Sequence, residues 1–127
     1  MEIAAHLAAE AGRPFELGTA DCVTLAADWV RARTGVDPIA HCRGYRAGEA
    51  DGLLAGWGGL LRLAGRALRS AGLALTRTPQ PGDVAVVELG GFAICAIRTR
   101  RGWAMRLDDG LATLPPARVR VLAAWTV

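Results

Sequence analysis

A chain of 127 residues, 52% apolar and 21% charged, has the size of a single domain with an enclosed core and needs neither disulfides nor metal to staple it. Its net charge of +3 is carried by 15 arginines and no lysine, scattered and not interleaved with stacking aromatics, which argues against a nucleic-acid groove. No apolar run reaches the roughly 18 residues of a bilayer crossing, and Glu2, His6 and Glu10 make Met1 to Gly12 too polar for a signal peptide, so neither membrane insertion nor a targeting signal is expected.

Ile3, Leu7, Ala8 and Ala11 recur at helical spacing and stop at Gly12, Arg13 and Pro14, which predicts a short amphipathic helix over 3–11. After a loop, Asp21 is a natural N-cap for a long helix that starts at Cys22 and runs to about Arg33. Val23, Ala26, Ala27 and Val30 form one apolar stripe, with Cys22, Leu25 and Trp29 beside it. Arg31 and Arg33 suit the negative pole of the dipole, and Gly35 supplies a left-handed cap.

Asp37-Pro38 opens an irregular stretch to Tyr45, in which Arg43 is placed to pair with Asp37 or Asp28. From about Glu49 to Ser70 the period is helical but broken by glycines, which predicts a short helix, a break, and a second helix over 59–71. These glycines do not form a phosphate cradle, because no strand precedes them and no Lys-Ser/Thr follows.

Beyond Gly72 the pattern turns to strands over 83–89, 92–99, 102–107 and 118–127, joined at Gly90-Gly91, Arg100-Arg101-Gly102 and Asp108-Asp109-Gly110. Such short turns require antiparallel neighbours. The expected fold is therefore α+β, one domain over 1–127, with N-terminal helices packed on a C-terminal antiparallel meander sheet. Phe92 to Ile97 is apolar at every position, as suits a strand covered on both faces. Arg98, Arg100 and Arg101 read as a solvated hairpin tip, Tyr45 and Trp57 as cover for the core edge, and Trp125 as filler between sheet and helices.

Cys22, Cys42 and Cys95 are odd in number and widely spaced, which gives neither a disulfide framework nor a Cys-x-x-Cys zinc pattern. With only His6 and His41 besides, no metal or other cofactor is expected. Cys22 is the one cysteine with a chemical reason for its place, because free amides and the positive dipole end of a helix stabilise a thiolate. Local features leave two readings open: a nucleophile that requires a base from elsewhere, or a thiol packed beside Leu25 and Trp29.

Gly18-x-x-Asp21-Cys22, a helix, and then Pro81-Gly82-Asp83 leading into Val84-Ala85-Val86-Val87 resemble the NlpC-type peptidases, which are papain-like cell-wall hydrolases. A closer resemblance is to uncharacterised proteins of phage, prophage and gene-transfer-agent tail clusters. It is carried by Gly18, Asp21-Cys22, Asp28, Gly35-x-Asp37-Pro38, Arg43-Gly44-Tyr45, Gly82-Asp83 and Ala124-Trp125, and spans nearly the whole chain. The likeness implies a papain-like fold with Cys22 in the nucleophile position. In active NlpC-type enzymes the second sheet strand begins with the catalytic His, and here that slot falls on Phe92.

The resemblance and the missing base together lead to an expected structural role in a phage-type tail tip or hub, with other tail proteins as partners, in a particle made in the bacterial cytoplasm. The alternative is an active peptidase or amidase on cell-wall peptides, with Cys22 as nucleophile, Asp21 at the helix start, and His41 or Asp83 as an unconventional base. General acid-base catalysis is commonly worth about 10²–10⁴ in rate, so loss of the base should leave little hydrolysis.

Overall fold

The computed structural model of the chain describes residues 2–56 and 59–127, so Trp57 lies outside the described residues. Among the described residues four helices come first: α1 (Ile3–Ala11), α2 (Cys22–Thr34), α3 (Ala47–Gly56) and α4 (Leu60–Ser70). Six strands follow: β1 (Leu75–Thr76), β2 (Val84–Leu89), β3 (Phe92–Arg98), β4 (Trp103–Leu107), β5 (Gly110–Leu114) and β6 (Arg120–Trp125), with a 3₁₀ turn at Pro116–Arg118 before β6. The layout is α+β, with the helices N-terminal and every described strand pair antiparallel.

The helix carrying Cys22 forms as local chemistry dictates. Asp21 accepts a hydrogen bond from Thr24 N while the Thr24 hydroxyl accepts one from Asp21 N, a reciprocal capping box that satisfies two otherwise orphaned amides. At the other end Gly35 takes the left-handed conformation at φ +79° and its amide returns to Arg31 O. The buried stripe of α2 includes Leu25, Trp29 and Val30, each at most 2% exposed. Burial of a large apolar side chain is worth roughly 1.5–3 kcal/mol, so this stripe is what holds α2 on the sheet.

Strand order in the sheet is β1-β6-β2-β3-β4-β5. The meander expected from the short turns therefore holds from β2 to β5 and then stops. After β5 the chain passes Pro115 and the 3₁₀ turn, and β6 returns to pair with β2, so that β2 lies between β3 and β6. The reason is burial. Val84, Ala85, Val86 and Val87 are successive and all at most 3% exposed, which a strand achieves only with a neighbour on each side and cover on each face. The strand expected over 118–127 is in the structure the 3₁₀ turn followed by β6, and β1 and β5 add edges that the sequence pattern did not reveal.

Alternation along β2 and β3 divides the core in two. Val84, Val86, Cys95 and Ile97 face α2 and share a cluster with Leu25, Trp29, Val30, Leu68 and Trp125. Ala85, Val87 and Ala96 face the other way, with Trp103, Met105 and Ala124, and Leu114 and Val119 from the segments flanking the return to β6 pack on them. Trp29 also ties the layers by a hydrogen bond, donating from Nε1 to Gly82 O at 2.7 Å just before β2. Trp125 fills the space between sheet and helices, as its place in the sequence suggests.

Candidate functional site

Asp21 does more than cap α2. Its Oδ1 accepts from Thr24 N at 2.9 Å, and its Oδ2 accepts from Gly18 N at 2.8 Å and from the Tyr45 hydroxyl. Asp21 and Tyr45 are both buried. Burial first, and then donation to the Asp21 carboxylate, push the Tyr45 phenol far above its ordinary range, so it remains a donor. Gly18 makes this approach feasible: it sits at φ +86°, and a Cβ there would lie 2.3 Å from Tyr45 O. With its oxygens committed to three donors, Asp21 fixes the helix start and is not placed as a general base.

A second polar lock holds the loop after α2. Arg43 donates from Nε to Asp37 Oδ2 at 2.5 Å and from Nη2 to Asp28 Oδ1 at 2.6 Å, joining the loop to the middle of the helix. Burial works to raise the Asp37 pKa, but the Arg43 hydrogen bonds and charge outweigh it, and the carboxyl is held below its usual range. The pairing foreseen for Arg43 is thus made with both carboxylates at once.

Cys22 is the first residue of α2, half-buried, and packs against the helix-facing half of the core, which contains the buried Cys95 of β3. Cys95 S–H donating to Cys22 is the largest influence on Cys22 and holds it below the ordinary thiol range, against burial and the nearby Asp21 charge, which push upward. The same bond, then burial and the charges of Cys22 and Asp21, hold Cys95 well above that range. The two thiols are thus pushed in opposite directions, Cys22 down and Cys95 up.

Cys22 opens onto a groove of about 830 Å³ between the helix start and the rim of the sheet. Its walls are mainly apolar, with Phe15, Leu17, Ile39, Leu60 and Phe92 among them, and its polar rim includes Tyr45, Asp108 and Asp109. Phe92 opens β3 and is 74% exposed, while Phe15 and Leu17 are 40% and 39% exposed. No histidine is among the described residues that line the groove.

The other candidates lie apart from Cys22. His41 is exposed on the loop after α2 and does not line the groove. Asp83 is buried just before β2, where its carboxylate accepts from Gln80 N at 2.8 Å and Val127 N at 3.1 Å. It ties the C-terminus to the turn before the strand and lies outside the groove. His6 is 5% exposed on the inner face of α1, with Nε2 3.2 Å from Leu25 O and its ring 5.5 Å from that of Trp29, so it fastens α1 to α2.

Two residues at the site were not singled out by the sequence. Cys95 reads there as one apolar position among six, and only the phase of β3 turns it toward Cys22. Arg106 of β4 also lines the groove, with its side chain 1% exposed. It donates from Nη1 to Arg13 O at 2.8 Å and from Nη2 to Glu10 Oε2 at 2.8 Å, clamping the end of α1 to the sheet. An arginine inside an otherwise apolar strand was the available signal, since such a charge is buried only with partners. Among the described residues no group of three His, Cys, Asp or Glu side chains is arranged to hold a metal ion, and no helix is long and apolar enough to cross a membrane.

No curated protein and no solved structure matches the chain. One family model matches it over residues 1–127, and its description is a domain of unknown function, DUF6950. With the match covering the whole chain, the protein belongs to the DUF6950 family.

Proposed function

We propose that this protein is a papain-like, NlpC-type domain acting as a binding component of a phage-type tail tip or hub, with a hydrolytic site that has lost its base. The observation that carries the loss of hydrolysis is the company of Cys22: it packs against the core cluster that holds Cys95, and no histidine is among the described residues lining its groove. A thiol whose pKa is raised is a poor acceptor for the proton of a nucleophile and a poor donor to a leaving amine at neutral pH. A capped helix that presents a cysteine to an antiparallel sheet supports the papain-like reading, and the tail assignment rests on the sequence resemblance. The groove with its exposed Phe15, Leu17 and Phe92 is then the surface offered to a neighbouring tail protein. Co-expression with phage-type tail-tip and hub proteins, followed by size-exclusion chromatography, is expected to give a stable complex that Phe92→Asp weakens. A chain that stays monomeric with every one of them overturns the reading.

One observation favours a second reading, an active amidase on cell-wall peptides: Cys22 lines a groove large enough for a peptide, with its thiol held below the ordinary range. Incubation with muropeptides beside a Cys22→Ala control separates the two. Cleavage that depends on Cys22 would establish the enzyme, and equal, background hydrolysis by both proteins would remove it.

A further inference from the structure

The antiparallel order of the sheet sorts its turns onto two opposite ends. At one end lie the Gly90-Gly91 turn, with Phe92 beside it 74% exposed, and the Asp108-Asp109 turn, both aspartates exposed. At the other lie Pro81-Gly82 and the β3–β4 turn with exposed Arg100 and Arg101, joined where Gly82 N donates to Arg98 O at 2.8 Å. β4 runs from one end to the other, and its five residues hold the aspartate and arginine turns roughly 17 Å apart at about 3.4 Å per residue. That span exceeds the Debye length of about 8 Å at physiological salt, so neither turn neutralises the other within one chain.

The ends also differ in shape. The arginine end is hollow, with a cleft of about 660 Å³ whose apolar lining includes Ile3, Leu7, Trp29 and Pro81. Arg33 joins Arg100 and Arg101 there, and Glu2 is the one acidic side chain among the described residues that line it. At the aspartate end Phe92 projects, and Arg106, the arginine among the described residues lining that groove, is 1% exposed and already paired with Glu10. One end therefore offers an exposed aromatic ring and two free carboxylates, and the other an apolar cleft rimmed by guanidinium groups.

We propose that copies of this chain associate head to tail, the Phe92 and Asp108-Asp109 end of one copy seated in the Arg33, Arg100 and Arg101 cleft of the next. The contact is heterologous: the two surfaces on a copy differ, so each copy added leaves one of each open until the row closes into a ring. Charge sets the orientation, because like ends would face aspartate with aspartate or arginine with arginine. Phe92 supplies the aromatic anchor in the cleft. This association rests on the Phe92 end being a binding surface, as proposed above, but it needs no tail protein, and the last copy of an open row keeps that end free for one.

The test is sedimentation velocity on the purified full chain, without tail proteins, from micromolar to millimolar concentration at low and high salt. Assembly is expected to grow with concentration and to weaken as sodium chloride screens the contact. Arg100→Asp with Arg101→Asp, and Asp108→Arg with Asp109→Arg, should each weaken self-association about tenfold or more. Mixing the two double variants should restore it, because each supplies the end that the other lacks. All four side chains are exposed, so circular dichroism and urea midpoints close to the parent's are expected. A parent that is monomeric throughout, assembly indifferent to salt, or folded variants that do not complement each other on mixing would each overturn the proposal. A parent monomeric alone that still binds a tail protein would remove self-association and leave the tail reading standing. The parent's concentration and salt dependence decides the matter even if a variant fails to fold.

Discussion

The Tyr45 hydroxyl donates to the same carboxylate that caps the helix bearing Cys22. Through this bond, a loop residue 23 positions downstream of the cysteine helps fix where its sulfur lies. Tyr45→Phe leaves the ring in place and deletes the donor. Loss of a buried hydrogen bond to a charged acceptor costs about 1.5–3 kcal/mol, which urea denaturation should report as a lower midpoint with an unchanged slope. Asp21→Ala should cost more than Tyr45→Phe, because it removes the cap and strands the Gly18 amide and the Tyr45 hydroxyl together. A Tyr45→Phe midpoint equal to that of the parent would show that the bond carries no net stability.

Gly18 and Gly35 have similar positive φ angles, +86° and +79°, in different surroundings. A Cβ on Gly35 meets nothing within 4 Å, so Gly35→Ala should cost only the left-handed penalty of about 1–2 kcal/mol. At Gly18 the new methyl runs into Tyr45 O, and the loop must also move, so Gly18→Ala should cost well above that, about 3 kcal/mol or more. Thermal midpoints of the two variants side by side check the difference, and equal losses would mean that the Gly18–Tyr45 approach is not tight.

The Cys22 thiol should alkylate with iodoacetamide along a pH profile whose midpoint lies below the roughly 8.5 of a free cysteine. Cys95→Ala takes away the hydrogen bond that does most to lower it, and the midpoint should rise. Cys42, raised by burial, should titrate above both. Quantitative alkylation resolved by peptide gives all three curves in one experiment, and a Cys22 midpoint unmoved by Cys95→Ala would contradict an influence of Cys95 on Cys22.

Asp37 has its folded pKa depressed by Arg43 against the opposing effect of burial. Its contribution to stability is therefore complete above the unfolded value of about 3.9 and is lost as pH falls through the lower folded value. Asp37→Asn should destabilise the protein by about 1 kcal/mol at neutral pH, a figure kept small by the partial exposure of Arg43, and the gap to the parent should close in acid. Denaturation midpoints between pH 7 and pH 2 follow this, and a constant gap would rule out ionisation of Asp37 as its cause.

The helix that carries the site was legible because its determinants are local. Asp21, Thr24 and Gly35 act on backbone groups within four residues of themselves, and the apolar stripe of α2 repeats at the helical period. The strands from 84 to 107 were legible for the same reason, from their turns. The edge strand β1 and the place of β6 in the sheet were not. β1 is two residues long, and β6 finds its place beside β2 through burial of Val84 to Val87, a requirement that no local pattern expresses.

The sequence by itself settled that this is an α+β domain with a cysteine at the capped start of its central helix, since capping, helical period and turn chemistry all act over a few residues. What faces that cysteine was decided only in three dimensions. Phe92 to Ile97 is apolar throughout, so the alternation that normally distinguishes the two faces of a strand carries no information there, and the register with β2 and the packing of α2 had to choose which phase points inward. The phase chosen places Cys95 against Cys22, and the long-range contacts of Tyr45 and Arg106 complete the groove around them.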